Sequence, residues 1–260
     1  MIAEGYAAIL LDLDGTLCRG SSVVPGVPEA LQRLRGMGTR VGFVTNNSSR
    51  TPAQVVAHLA FVGIEAAEHE VTTSASVTAD RLSTRGVELA FVIGEVGLRT
   101  ALSDAGISMT SKAAREVGAV VVGFDRSVDY AALRTASIYV ERGAALVASN
   151  ADASFPAEDG ATWPGAGAIL AAIETTTGAV AEVVGKPDPS ILRSASARAG
   201  GGTALVVGDR IDTDIAAAVA AGWDSVLVLT GISSREDLRA SSVTPRYVVD
   251  ALPDIVRAES

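Results

Sequence analysis

The sequence predicts an α/β protein built on an open parallel sheet, and three observations carry that prediction. Short continuous apolar runs recur along the 260 residues, as at Ala7–Leu11, Arg40–Thr45 and Ala204–Gly208. Runs without alternation read as strands buried on both faces, the condition inside a parallel sheet. Segments with apolar residues at helical spacing separate these runs, giving the β-α-β order that needs right-handed crossovers. Finally, four polar clusters (Asp12/Asp14, Thr45/Asn46, Lys186 and Asp209/Asp214) all fall at or beside the C-terminal end of an apolar strand. In an open parallel sheet those ends share one edge, where ligands bind.

The first strand, Ala7–Leu11, runs straight into Asp12-Leu13-Asp14-Gly15-Thr16. With Leu13 between them, alternation along an extended chain sends both carboxylates to one side. Two like charges held close at the edge of an apolar strand repel each other and resist leaving water. A hard divalent cation with oxygen ligands would compensate them. Gly15 permits a turn that brings the backbone close to a ligand. An ordinary Asp-Gly turn explains Asp14-Gly15 equally well but leaves Asp12 unexplained. Val27, Leu31 and Leu34 then recur at helical spacing behind Pro28, with Gly36 and Gly38 closing the helix. The strand Arg40–Thr45 hands over to Thr45-Asn46-Asn47-Ser48-Ser49, and Pro52–Val62 reads as a helix with Thr51 as its N-cap.

From about Ser74 the alternation repeats. Helices are expected at Val77–Leu82, Leu98–Ala105, Tyr130–Arg142 and Ala166–Thr175, and strands at Leu89–Ile93, Ala119–Phe124 and Ala145–Ser149. Val183–Pro189 carries Lys186 ahead of a helix at Ile191–Ala199. The strand Ala204–Gly208 ends at Asp209, followed by a small-residue helix at Ile215–Ala221 and strands at Ser225–Leu229 and Tyr247–Val249. Taken singly, each polar cluster has a plain reading. Thr45-Asn46-Asn47 reads as a capped loop, Lys186 as a surface lysine, and Asp209–Asp214 as a turn with a helix cap. Their common position on one edge is what argues for a site.

Composition excludes several classes. No apolar stretch reaches the roughly 18 residues of a membrane span, and no secretion signal is visible at the N-terminus. One cysteine, Cys18, precludes an intrachain disulfide and suits a reducing cytoplasm. A net charge of −9 offers no basic stripe to nucleic-acid phosphates. An acidic protein acting on anionic substrates needs local positive charge from a metal or a placed lysine.

The motifs Asp-Leu-Asp-Gly-Thr at 12–16, Thr45, Lys186 and Gly-Asp-x-x-x-Thr-Asp at 208–214 resemble, in order, the four motifs of the haloacid dehalogenase superfamily. Val44-Thr45-Asn46-Asn47-Ser48, Ala148–Asp152, Pro164–Ala168 and Gly185-Lys186-Pro187 are similar to its subfamily IIA. That branch is typified by p-nitrophenyl phosphatase, the NagD nucleotide phosphatases, pyridoxal phosphate phosphatase and phosphoglycolate or glycerol-phosphate phosphatases. The resemblance implies a Mg²⁺-dependent phosphomonoesterase in which Asp12 is the nucleophile and forms an aspartyl-phosphate. Asp14 would be the general acid and base. Gly15, Thr45, Asn46, Asn47 and Lys186 would contact the phosphoryl group, with Lys186 offsetting charge. Mg²⁺ would be held by Asp12, the Asp14 main-chain carbonyl and Asp209, with Asp214 beside it. Dehalogenases lack an acid at the position of Asp14, because a halide leaving group needs no proton.

The resemblance also implies a Rossmann-like core with an inserted domain. Leu17 and Pro25 leave no room for one, whereas Thr45 and Lys186 are far apart in sequence and should meet at one site. We therefore expect a discontinuous core at 1–75 and 183–260 and a C2-type α/β cap at 76–182. The expected substrate is a small phosphorylated metabolite of the glycerol 3-phosphate, phosphoglycolate, pyridoxal phosphate or nucleoside monophosphate class. No nucleic-acid or membrane partner is expected, and relatives that pair through their caps point by analogy to a homodimer. A phosphomutase and a catalytically silent phosphate-binding module are the competing readings. Asn150, Asp152 and Gly165–Gly167 resemble family positions, and a turn with a helix N-terminus explains them as well. His58, His69, Cys18, Trp163 and Trp223 read as structural or packing residues.

Overall fold

In the computed structural model, which describes residues 1–111, 116–156 and 161–257, the alternation of strand and helix generates two sheets. Along the chain the elements begin with β1 (Ala8–Leu11), a small hairpin of β2 (Cys18–Arg19) and β3 (Ser22–Val23), and α1 (Val27–Gly36). They continue through β4 (Arg40–Thr45), α2 (Pro52–Phe61), β5 (Val71–Thr73), α3 (Ser74–Thr84), β6 (Leu89–Ile93), α4 (Val96–Asp104), β7 (Ser108–Thr110) and β8 (Ala119–Val122). Next come α5 (Tyr130–Glu141), β9 (Ala145–Ala148), β10 (Ser154–Pro156), β11 (Thr162–Pro164), α6 (Ala166–Thr177) and β12 (Glu182–Val183). The chain closes with α7 (Ser190–Arg198), β13 (Ala204–Gly208), α8 (Ala216–Ala221), β14 (Ser225–Val228), α9 (Arg235–Ala240) and β15 (Tyr247–Val249).

The chain divides into two compact units. The first comprises Met1–Thr45, Pro52–Thr72 and Lys186–Ser260; the second comprises Asn46–Thr51 and Thr73–Gly185. The first unit is built on a sheet of order β15-β14-β13-β1-β4-β5. The pairings among β15, β14, β13, β1 and β4 are all parallel. Every residue of β1, β13 and β14 is buried, which is why these strands are apolar but for Ser225 at the start of β14. Ile9, Leu11, Phe43, Leu205 and Val226 pack one face against Val27, Leu31 and Leu34 of α1 and against Leu252 and Ile255.

The strand order reverses at β1. The chain moves outward through β4 and β5 on one side, then returns to fill β13, β14 and β15 on the other. Ligands bind in the crevice beyond the strand ends at such a reversal. Register brings Leu11 level with both Phe43 and Val207. Asp12 therefore emerges level with the last residues of β4 and β13, its N–H donating to the Val207 carbonyl at 2.9 Å.

The second unit has a sheet of order β12-β9-β8-β6-β7, parallel at every pairing, and a separate antiparallel hairpin of β10 and β11. Phe91, Val120, Val122, Tyr139, Leu170 and Ile173 fill its core. Arg81 of α3 and Arg85 at its C-cap both pair with Glu182 of β12. The segment Asn46–Thr51 is fastened within this unit. The Asn46 carbonyl accepts from Ser74 Oγ at 2.7 Å and Asn150 Nδ2 at 2.8 Å, and Ser149 Oγ lies 2.9 Å from Ser48 Oγ.

Two differences from the sequence expectation have clear causes. Helix α3 starts at Ser74 rather than Val77, because Thr73 caps it: Thr73 Oγ1 accepts from the Ser76 N–H, and Ser76 Oγ accepts from the Thr73 N–H. Strands β5, β7 and β12 have only two or three residues and take their form from a longer neighbour, so no local periodicity announces them. Among the described residues no helix is long and apolar enough to cross a membrane.

Candidate active site

The ends of β1 and β13 and the residue that follows Gly185 meet within the first unit. Lys186 Nζ lies 2.5 Å from Asp12 Oδ1 and 2.7 Å from Asp214 Oδ1, and donates to the Val44 carbonyl at 3.2 Å. The Lys186 side chain is 3% exposed, so its stem is buried and its charge faces two carboxylates. Burial alone would depress the lysine pKa; the charges of Asp12 and Asp214 overcome this and hold it above the ordinary value. Burial pushes Asp12 well above the usual carboxylate range, the charges of Asp214 and Asp209 add to the rise, and Lys186 opposes it. Asp209 is pushed up to about 6 by burial and by Asp214.

Asp214 stands on a π-helical turn at Ile211–Ile215, where the Arg210 carbonyl accepts from the N–H groups of both Asp214 and Ile215. Asp214 Oδ2 accepts from the Arg210 N–H at 3.1 Å. The turn thus aims a buried acid back at the strand end from which the chain has just left.

Carboxylate oxygens of Asp12, Asp209 and Asp214 lie within 4.8 Å of one another. Asp209 Oδ1 is buried and has no hydrogen-bond partner. A buried carboxylate oxygen in that condition is costly unless something else satisfies it. Three hard oxygen donors, one with an unsatisfied lone pair, fit a divalent cation of the magnesium kind.

The structure brings together Asp12, Lys186, Asp209 and Asp214, with Gly15 against them. Gly15 has φ +87°, and a Cβ there would stand 2.4 Å from Asp209 Oδ2. The position accepts glycine on two counts, backbone conformation and space. Thr45 ends β4, 4% exposed. Asp14 behaves differently from the alternation argument. Extension stops at Leu11, and the Leu13 carbonyl accepts from the N–H groups of Thr16, Leu17 and Cys18. Asp14 is consequently exposed, and its carboxylate is not among the three that cluster. Asn46 and Asn47 belong to the second unit. Asn46 Nδ2 donates to Asp152 Oδ2 at 3.3 Å, and Asn47 Oδ1 accepts from Ser49 N–H and Oγ.

Sequence reasoning missed the loop after β14. There the Ile232 N–H donates to Asp209 Oδ2 at 2.7 Å, and Thr230 Oγ1 donates to the Gly15 carbonyl at 2.6 Å. The signal was available, because Leu229-Thr230-Gly231 is a fifth polar step at the C-terminal end of an apolar strand.

A family model described as haloacid dehalogenase-like hydrolase matches residues 9–108, and one described as HAD-hydrolase-like matches residues 183–255. An acid sugar phosphatase of Staphylococcus epidermidis is 38% identical over 245 residues, covering 93% of both chains. A glycerol phosphate phosphatase from Mycobacterium tuberculosis, solved in complex with magnesium, superposes with a TM-score of 0.93 at 35% identity, covering 98% of this chain and 77% of that one. NagD from E. coli K-12 gives a TM-score of 0.89 at 30% identity, over 96% of this chain and 98% of its own.

Proposed function

This chain belongs to the haloacid dehalogenase-like hydrolase family and is one of its NagD-like phosphatases, and from that premise we propose that it is a Mg²⁺-dependent phosphomonoesterase of small phosphorylated metabolites. Glycerol phosphate and sugar phosphates are the first substrates to consider, since relatives carry those names. The observation that carries the reading is Lys186 held between Asp12 and Asp214 beside the unsatisfied Asp209 Oδ1.

Asp12 attacks phosphorus through a carboxylate oxygen. An O–P bond forms as the ester P–O bond breaks, leaving an aspartyl-phosphate and an alkoxide. Asp14, free of the buried cluster and in contact with solvent, protonates the alkoxide. It then takes a proton from the water that attacks phosphorus, which releases inorganic phosphate and restores Asp12. Lys186 opposes the protonation that burial favours at Asp12, which matters because a protonated carboxyl is no nucleophile. Gly15, Thr45, Asn46, Asn47 and Lys186 contact phosphoryl oxygens. Asp12, Asp209 and the Asp14 carbonyl hold Mg²⁺, with Asp214 beside them. When bound, the ion neutralises phosphoryl oxygen charge, most of what such a transfer requires.

Residues 76–182 form the C2-type cap that selects the leaving group, and pairing through it yields a homodimer. The enzyme works in the cytoplasm. The test is phosphate release from p-nitrophenyl phosphate, glycerol 3-phosphate and a sugar-phosphate panel, with and without Mg²⁺. Asp12→Asn should reduce release to background. Turnover surviving in that variant would remove the proposed nucleophile, and tight binding of phosphate analogues without any turnover would favour a silent binding module.

A further inference from the structure

We propose that the loop Thr230–Ser233 is a positioning device for Asp209, which commits one carboxylate oxygen to the protein and reserves the other for a divalent cation. This rests on the metal reading of the site given above. Three segments distant in sequence meet at this carboxylate. The Ile232 N–H donates to Asp209 Oδ2 at 2.7 Å, and the Ser233 N–H donates to the Asp209 carbonyl at 3.1 Å. Thr230 Oγ1 donates to the Gly15 carbonyl at 2.6 Å, tying the same loop to the turn after β1. Ser233 Oγ accepts from the Ile211 N–H at 3.1 Å, tying it to the turn that carries Asp214. Arg19 Nε, from the β2–β3 hairpin, donates to the Thr230 carbonyl at 2.6 Å.

Gly231 is required by space. A Cβ there would stand 1.9 Å from Asp209 Oδ2 and 2.3 Å from Cγ. Gly15 approaches the same oxygen: a Cβ there would also overlap Oδ2 and lie 3.0 Å from the Gly231 Cα. Two adjoining glycine backbones thus lie against Asp209 Oδ2. Ile232 supports the same conclusion, since its side chain is 61% exposed and contributes little packing. What that residue supplies is its N–H. With Oδ2 taken and Oδ1 without a partner, the loop leaves one oxygen of Asp209 to ligate. Groups that orient a metal ligand in this way typically change metal affinity about 10–100-fold when removed.

The test is Mg²⁺ binding to metal-stripped protein by isothermal titration calorimetry, a readout that needs no turnover. Gly231→Ala should weaken binding about tenfold or more. Thr230→Val should weaken it in the same direction, and Thr230→Ser, which restores the hydroxyl, should recover it. Ile232→Ala keeps the N–H and should bind Mg²⁺ within about twofold of the natural chain. Unchanged affinity in Gly231→Ala would overturn the proposal. If that variant loses its folded circular dichroism spectrum, unchanged affinity in Thr230→Val overturns it instead. Failure of the natural chain itself to bind Mg²⁺ would refute the underlying metal site, a result distinct from normal binding with insensitive loop variants.

Discussion

Replacing Lys186 by methionine isolates the charge at the centre of the site. The substitution keeps an aliphatic stem of similar reach and removes the ammonium. Asp12 and Asp214, now 2.5 and 2.7 Å from Nζ, would lose their counter-charge where the lysine side chain is 3% exposed. Removing one partner from a buried ion pair costs about 3–5 kcal/mol. At about 2–4 °C per kcal/mol for a unit of this size, the metal-free variant should melt roughly 6–20 °C below the natural protein at neutral pH. The pH dependence has a definite sign. Burial already raises Asp12, and losing Lys186 raises it further. A carboxyl raised in the folded state contributes stability that is present below its unfolded pKa and lost as pH rises through the folded one. The deficit of the variant should therefore shrink on acidification, because the crowded acids accept protons. Differential scanning calorimetry of both metal-stripped proteins at about pH 7.5 and pH 5 measures this. A midpoint within about 2 °C of the natural protein at the higher pH, or a deficit that widens on acidification, would refute the reasoning.

Mg²⁺ affinity should fall as pH drops through the Asp209 pKa of about 6, by about tenfold between pH 7 and pH 5, because protons compete for the same carboxylate. Titration calorimetry across that range checks it, and a flat affinity would exclude Asp209 as a ligand. In the metal-free state the rise of Asp209 from 3.8 to about 6 contributes stability below about pH 4 that is lost as pH passes 6, worth roughly 3 kcal/mol. Glu182→Gln should lower the melting midpoint by no more than about 3 °C, since its pairs with Arg85 and Arg81 are part-exposed. Arg85 first, then Arg81, holds the Glu182 carboxyl below its ordinary value, so this small contribution is present at neutral pH and fades as pH falls.

The longer strands of both units were legible because burial on two faces favours an unbroken apolar run. Ala204–Gly208 and Leu89–Ile93 were read to the residue. The convergence of Lys186 with Asp12 was legible for a related reason: a polar residue that interrupts an apolar strand end needs an explanation, and one shared edge supplied it. Asp14 was harder, since the argument assumed extension beyond Leu11, whereas three N–H groups converge on the Leu13 carbonyl and turn the chain. The role of Gly231 depends on the distance to Asp209, which no local pattern encodes. Asn47 Oδ1 accepts from the Ser49 N–H and Oγ, an Asx turn that shapes the loop in which it stands.

The chain passes between its two units at Thr45/Asn46, Thr51/Pro52, Thr72/Thr73 and Gly185/Lys186. Two of those peptide bonds therefore abut residues assigned to phosphoryl chemistry. Because that unit is joined directly to those residues, libraries confined to residues 73–185, the stretch proposed to select the leaving group, should be screened on kcat and KM separately.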